Sequence, residues 1–124
     1  NKLILVGPPN RRIRDNVQQF CSVFGSSEEC EDMSSDSIFL KRLNNKKYDP
    51  VKTEYYTIRA VGCQMQGGIG DGIVLEESVP LDYAENYEIE GNCSNIFGTD
   101  LHSDMLDPET YPETYEIIRN ILEK

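Results

Sequence analysis

With 124 residues and 38% hydrophobic content, the chain is sized for a single domain with a modest core. Its formal net charge of −10 argues against nucleic acid or an anionic membrane surface as a partner. No run reaches the roughly 18 apolar residues of a membrane helix, and no signal peptide is recognisable, so a soluble chain of open compartment is expected.

The chain opens at Asn1 and enters an apolar run at once, which suggests a piece of something larger. Residues 3–7, Leu-Ile-Leu-Val-Gly, suit a strand buried on both faces of a parallel sheet. Pro8-Pro9-Asn10 ends it, because proline supplies no ladder donor. Residues 11–24 place Ile13, Val17, Phe20 and Phe24 on one helical face. The basic cluster Arg11, Arg12 and Arg14 reads as the solvated side of that helix rather than a phosphate site. Gly25-Ser26-Ser27 breaks the helix, and the acidic, serine-rich segment 28–36 reads as loop. Ser35 or Asp36 then caps a helix over 37–44, with Ile38, Phe39 and Leu43 inward. Polar residues 44–50 form a second loop.

Residues 55–61 are rich in β-branched and aromatic side chains and predict the second strand. Gly62 ends it, and Gly67, Gly68 and Gly70 make a turn. Residues 73–75 are too short to assign. Residues 87–89 predict a third strand, less buried because Glu88 and Glu90 alternate with apolar neighbours. Residues 91–107 read as loop, with a separate turn at Asp107-Pro108. Pro112 opens the last helix, 112–123, whose stripe is Tyr115, Ile118 and Leu122, widened by Ile117 and Ile121. The order β-α-α-β-β-α predicts an α/β fold with parallel strands and flanking helices. Three strands are few for such a sheet, and the first calls for neighbours on both sides.

Four cysteines leave the pairing open. Cys21 and Cys30 flank a short segment and could close a small loop. Cys63 follows the second strand and Cys93 the third; if those strands are adjacent and parallel, their ends could be bridged. Free buried thiols are the alternative. The absence of a Cys-x-x-Cys pair and the single histidine speak against structural zinc.

In open parallel sheets, functional residues gather beyond the carboxyl ends of the strands. Asp71 lies in a glycine-rich turn after the second strand, and His102 follows the third. A carboxylate that accepts Nδ1–H holds an imidazole in the useful tautomer and stabilises the imidazolium formed when Nε2 takes a proton. The plainer alternative is an ordinary Gly-Asp-Gly turn and a loop histidine. Asp100, His102, Asp104 and Asp107 also form an oxygen-rich cluster. It lacks EF-hand spacing and the closing Glu, so it reads as a solvated acidic loop. No metal or other cofactor is implied. A nucleophile is missing: the serines at 22, 26, 27, 34, 35, 37, 78, 94 and 103 include none in Gly-x-Ser-x-Gly. Ser78 and Ser103 are near the acid and the histidine in sequence but lack the strand-to-helix context.

Four motifs, in order, resemble the C-terminal half of an α/β-hydrolase of the lipase/esterase type. Leu3-Ile-Leu-Val-Gly-Pro-Pro-Asn10 resembles the strand after the nucleophile helix, with Pro9-Asn10 in place of the usual Pro-His. Residues 32–44, ending Ser-Ile-Phe-Leu-Lys-Arg-Leu-Asn, are similar to the family's “S-x-F-L-x-x-L-N” segment. Gly70-Asp71-Gly72-Ile73-Val74 resembles the “D-G-x-V” motif of the triad acid, and Leu101-His102-Ser103-Asp104-Met105-Leu106 the “H-x-x-L” loop of the triad histidine. Helix 112–123 matches the final helix. The resemblance spans nearly the whole chain. It implies that residues 1–124 are the C-terminal portion of one α/β-hydrolase domain, lacking the N-terminal strands and nucleophile elbow. It also implies Asp71 and His102 as catalytic residues, an acyl ester or lipid substrate, and a missing N-terminal half, a partner chain or self-association. Phe20, Phe24, Met33 and Phe39 would line an acyl pocket or lid, or pack in the core. A non-catalytic remnant or binding module is the competing expectation.

Overall fold

The computed structural model describes residues 1–11, 26–34, 36–45, 52–93 and 100–124. Strands β1 (Lys2–Val6), β2 (Glu54–Val61) and β5 (Glu85–Glu90) form a parallel three-stranded sheet in the order β1-β2-β5. The register pairs Val6 with Ile58 and Ala60 with Ile89, so the strands end near one another at their carboxyl edge. Between β2 and β5, the short strands β3 (Cys63–Met65) and β4 (Gly68–Gly70) make an antiparallel hairpin. A single 3-10 turn, Glu76–Ser78, follows. The described helices are α1 (Ser27–Asp32), α2 (Ile38–Leu43), α3 (Asp100–Asp104) and α4 (Pro112–Glu123). The chain is thus mixed α/β with a parallel sheet and flanking helices.

β2 is the central strand, and its residues 56–58 are buried in succession. Burial without alternation means that both faces are covered. On one face Ile58, Ala60 and Ile89 pack with Leu101 of α3 and Met105 just after it, against Ile117 and Ile118 of α4. On the other, Thr57 Oγ1 donates to Asn86 Oδ1 at 2.6 Å, and Asn86 also receives the Leu81 amide at 3.1 Å. Leu81 and Asn86 thereby close the loop that brings β5 back parallel to β2.

The carboxyl ends of β2 and β5 meet through glycine. A Cβ on Gly62 would sit 1.9 Å from the carbonyl oxygen of Gly91, and one on Gly91 2.4 Å from Leu101 Cδ1. This approach holds the Cα atoms of Cys63 and Cys93 5.2 Å apart, and the two are joined by a disulfide. The bridging of adjacent parallel strands is as the sequence suggested. Cys30 is buried and also disulfide-bonded. Cys21, Arg12, Arg14, Phe20, Phe24 and most of the helix expected over 11–24 lie outside the described residues, as does most of the loop expected over 44–50.

Several local expectations change. Segment 28–36 is not all loop: Ser26 and Glu29 make a reciprocal capping box, with Glu29 N–Ser26 Oγ at 3.2 Å and Ser26 N–Glu29 Oε2 at 2.9 Å. α2 is capped by Ser37, whose hydroxyl accepts from the Leu40 amide, rather than by Ser35 or Asp36. Its buried residue is Leu40; Ile38, Phe39 and Leu43 face solvent, with Phe39 54% exposed. In α4 Pro112 stands in the first turn as expected, but the buried face runs through Thr114, Ile117, Ile118 and Ile121. Tyr115 and Leu122 are exposed. Apolar residues surround this helix enough that periodicity alone did not fix which stripe turns inward. No helix among the described residues is long and apolar enough to cross a membrane.

Candidate active site

The β3–β4 hairpin sets Asp71 in place. The sequence suggested a bare glycine turn here; instead Cys63 pairs with Gly70 and Met65 with Gly68, so the chain leaves β2, doubles back and reaches Asp71 directly after β4. The next residues then wrap round the carboxylate. Asp71 Oδ1 accepts the amides of Ile73 at 2.9 Å and Val74 at 2.7 Å, while its own amide donates to the Val74 carbonyl at 3.1 Å. The residue is only 1% exposed. Burial of a carboxylate is costly unless its oxygens are satisfied, and the loop's own amides supply two of the donors.

The third donor is His102. Its Nδ1 lies 2.6 Å from Asp71 Oδ2. A backbone bond reinforces the pairing, with the His102 amide donating to the Asp71 carbonyl at 3.0 Å. His102 is on helix α3 and not in the loop expected over 91–107. Leu101 on that helix and Met105 just after it are both buried in the core. Their anchoring turns the adjacent His102 to the sheet edge. The acid that holds His102 is therefore Asp71, and not Glu76, Glu77 or Asp104.

The two residues differ in access. Asp71 is enclosed, whereas the His102 side chain is 34% exposed. With a carboxylate accepting at Nδ1, that nitrogen carries the proton and Nε2 is left as the acceptor. Such a ring can take a proton at Nε2 while the carboxylate steadies the resulting charge. The arrangement is a hydrogen-bonded carboxylate–imidazole dyad with the carboxylate buried and the imidazole accessible.

Among the described residues no serine hydroxyl bonds to the His102 ring. Ser78 is buried and Ser103 is exposed in α3. Nor, among the described residues, does any group of histidine, cysteine and acidic side chains gather as a metal site. Asp107 is engaged locally instead, accepting from Glu109 N at 3.1 Å and Thr110 Oγ1 at 2.6 Å. That closes the turn expected at Asp107-Pro108. A cleft of about 510 Å³ is lined by Arg11, Leu40, Lys41, Asn44 and Asn45, so neither dyad residue contributes to it. Met33 packs against Cys30.

Two contributors escaped the sequence reading. Asn10, 2% exposed, donates through Nδ2 to the Val79 carbonyl at 2.5 Å, and the Arg11 amide donates to the Ser78 carbonyl at 3.2 Å. These bonds fasten the segment after β1 to the end of the Asp71 loop. Gly7, the residue after β1, stands against the dyad itself. Its only sequence signal was a glycine between an apolar run and Pro8-Pro9. No protein-family model matches the chain, and neither a curated protein nor a solved structure matches it.

Proposed function

We propose that this chain supplies the acid and histidine of a serine ester hydrolase of the lipase/esterase type. Asp71 orients His102, His102 acts as general base toward a serine, and the substrate is an acyl ester, a lipid ester among the candidates. The observation that carries this reading is the 2.6 Å contact between buried Asp71 and accessible His102 beyond the carboxyl ends of parallel strands. On this reading the chain is the C-terminal portion of an α/β-hydrolase domain. The order β1-β2-β5, with the acid after β2 and the histidine after β5, agrees with it. The nucleophile comes from outside these 124 residues, because no serine here stands in Gly-x-Ser-x-Gly.

The test begins with the residues encoded before Asn1. A Gly-x-Ser-x-Gly motif there should, when expressed with this chain, yield hydrolysis of a short-chain nitrophenyl ester that His102→Ala abolishes. Covalent labelling of that serine by a fluorophosphonate should likewise require His102. Lack of any such motif, together with no hydrolysis by the assembled protein, would leave a non-catalytic hydrolase-like binding module instead.

A further inference from the structure

We infer that Gly7 is a positioning residue for the dyad: its missing side chain leaves the room in which the Asp71–His102 hydrogen bond forms. The inference rests on the catalytic reading of that dyad for its consequence, though not for its geometry. A Cβ built on Gly7 would meet His102 Cε1 at 3.2 Å, Asp71 Oδ2 at 3.4 Å and His102 Nδ1 at 3.4 Å. All three nearest atoms belong to the dyad, and two of them are the donor and acceptor of its hydrogen bond.

Three of the four parts of this contact are held. The Gly7 amide donates to the Ile58 carbonyl at 2.8 Å, which pins it to the sheet. The Asp71 carboxylate is gripped by the Ile73 and Val74 amides. The His102 backbone is tied to the Asp71 carbonyl. What can yield is the imidazole, which is partly exposed and turns about its own side-chain torsions. A Cβ at position 7 would therefore move the ring by a few tenths of an ångström rather than move the carboxylate, and a longer side chain would displace the ring further. Gly7 also has φ +59°, in the left-handed region that alanine resists and asparagine tolerates. Backbone tolerance and steric fit thus make opposite forecasts. If only the backbone mattered, Gly7→Asn would be milder than Gly7→Ala. If the space matters, Gly7→Asn is the worse of the two.

His102 is the only histidine, so the ring signals of the tag-free, ¹⁵N-histidine-labelled chain are its own. Wild type should show the Nδ1–H tautomer with a far-downfield proton, lost in Asp71→Asn. Gly7→Ala should move that proton upfield, and Gly7→Asn should shift the tautomer balance toward Nε2–H. Ile121→Ala is the control: Ile121 is buried in α4, and its carbonyl accepts from Lys2 Nζ at 2.6 Å, at the end of β1 opposite Gly7. It should leave the ring signals as in wild type while lowering the melting temperature. In the serine-completed enzyme, Gly7→Ala should lower kcat about tenfold or more with KM little changed, since small misplacements of a catalytic group are felt strongly. Wild-type ring signals in both Gly7 variants, or a Gly7→Asn nearer wild type than Gly7→Ala, would overturn the inference and leave the dyad standing. Ring signals indifferent to Asp71→Asn would instead remove the dyad, and the inference with it. Should Gly7→Asn not fold, the comparison of Gly7→Ala with Ile121→Ala decides: equal ring signals refute the inference.

Discussion

Cys63 and Cys93 are joined by a disulfide across the carboxyl ends of β2 and β5, and each lies on the arm that leads to one member of the dyad. Cys63 opens the hairpin that ends at Asp71, and Cys93 precedes His102. The bond therefore ties the two arms at their roots, while the hydrogen bond ties them at their tips. Cys63 is almost wholly buried, among the residues that pack beneath α3.

Removing this bond should cost both stability and order at the dyad. Chain-entropy reasoning for a separation of 30 residues gives about 3 to 4 kcal/mol. Cys63→Ser with Cys93→Ser should lower unfolding free energy by that amount in urea titrations. It should also broaden or shift the His102 ring signals. A double variant with wild-type stability would show that the glycine contact at Gly62 and Gly91 alone holds the strand ends.

The 124-residue chain by itself should show no esterase activity, because a histidine with no hydroxyl to activate cannot form an acyl-enzyme. If the proposed hydrolase reading holds, Asp71→Asn in the serine-completed protein should keep the fold but lower kcat on the order of 10⁴-fold, as the wrong tautomer places a proton on Nε2. Turnover of a nitrophenyl ester by the pure chain, above free imidazole and lost in His102→Ala, would contradict the first part. An Asp71→Asn loss of only a few fold would contradict the second.

The parallel sheet was legible because its signals are strong and local. The apolar run at Leu3–Val6 and the β-branched, aromatic run over 55–61 survive as β1 and β2 almost to the residue. The Asp71 and His102 positions were legible from motif and strand order. Their contact follows from the same reading and is met at 2.6 Å; the hairpin that delivers Asp71 was not legible, because its ladder is built from Gly68 and Gly70, residues that carry no strand preference. Helix faces were read less well. α2 is six residues long, and so short a helix is oriented by what it packs against rather than by its own pattern. The capping box at Ser26 and Glu29 stands in the sequence as Ser-x-x-Glu, but the acidic, serine-rich residues after it carry no apolar stripe to mark a helix.

The reversed face of α2 gives a direct comparison. Leu40 is buried, so Leu40→Ala should destabilise by about 2 to 5 kcal/mol through lost burial and the cavity left behind. Phe39→Ser, on the solvent side, should stay within about 0.5 kcal/mol of wild type. Chemical denaturation of both variants decides. A larger loss for Phe39→Ser would restore the inward orientation expected from sequence.

β1 has β2 on one side and, among the described residues, no strand on the other. Leu3 on it is 42% exposed. An apolar strand with a free edge tends to pair with another chain. The purified chain should therefore associate as its concentration rises in sedimentation velocity, and Leu3→Lys should suppress this. A single monomeric species at high concentration would count against it.

The last expectation concerns pH. Lys124, at the end of α4, donates to Glu85 Oε1 at 2.8 Å and Oε2 at 2.9 Å and to the Tyr87 hydroxyl at 3.2 Å. The Tyr87 hydroxyl also donates to Glu85. The bond from Lys124, then that from Tyr87, holds the Glu85 carboxyl below its ordinary range. The bond to Glu85 in turn raises the Lys124 ammonium above its own. The signs fix a window. A lowered Glu85 contributes stability above its ordinary value of 4.5 and loses it as pH falls through the folded value. A raised Lys124 contributes below its ordinary value of 10.5 and loses it as pH rises through the folded value. Both groups are at the surface, so the effect is small and screened by salt. Lys124→Met should thus melt slightly lower than wild type across the neutral range at low salt. The gap should close toward acid as Glu85 protonates in wild type. Carboxyl NMR should place the Glu85 midpoint below the ordinary value in wild type and return it upward in Lys124→Met. A Glu85 midpoint unmoved by the substitution would show that Lys124 does not hold β5 to the end of α4 in solution.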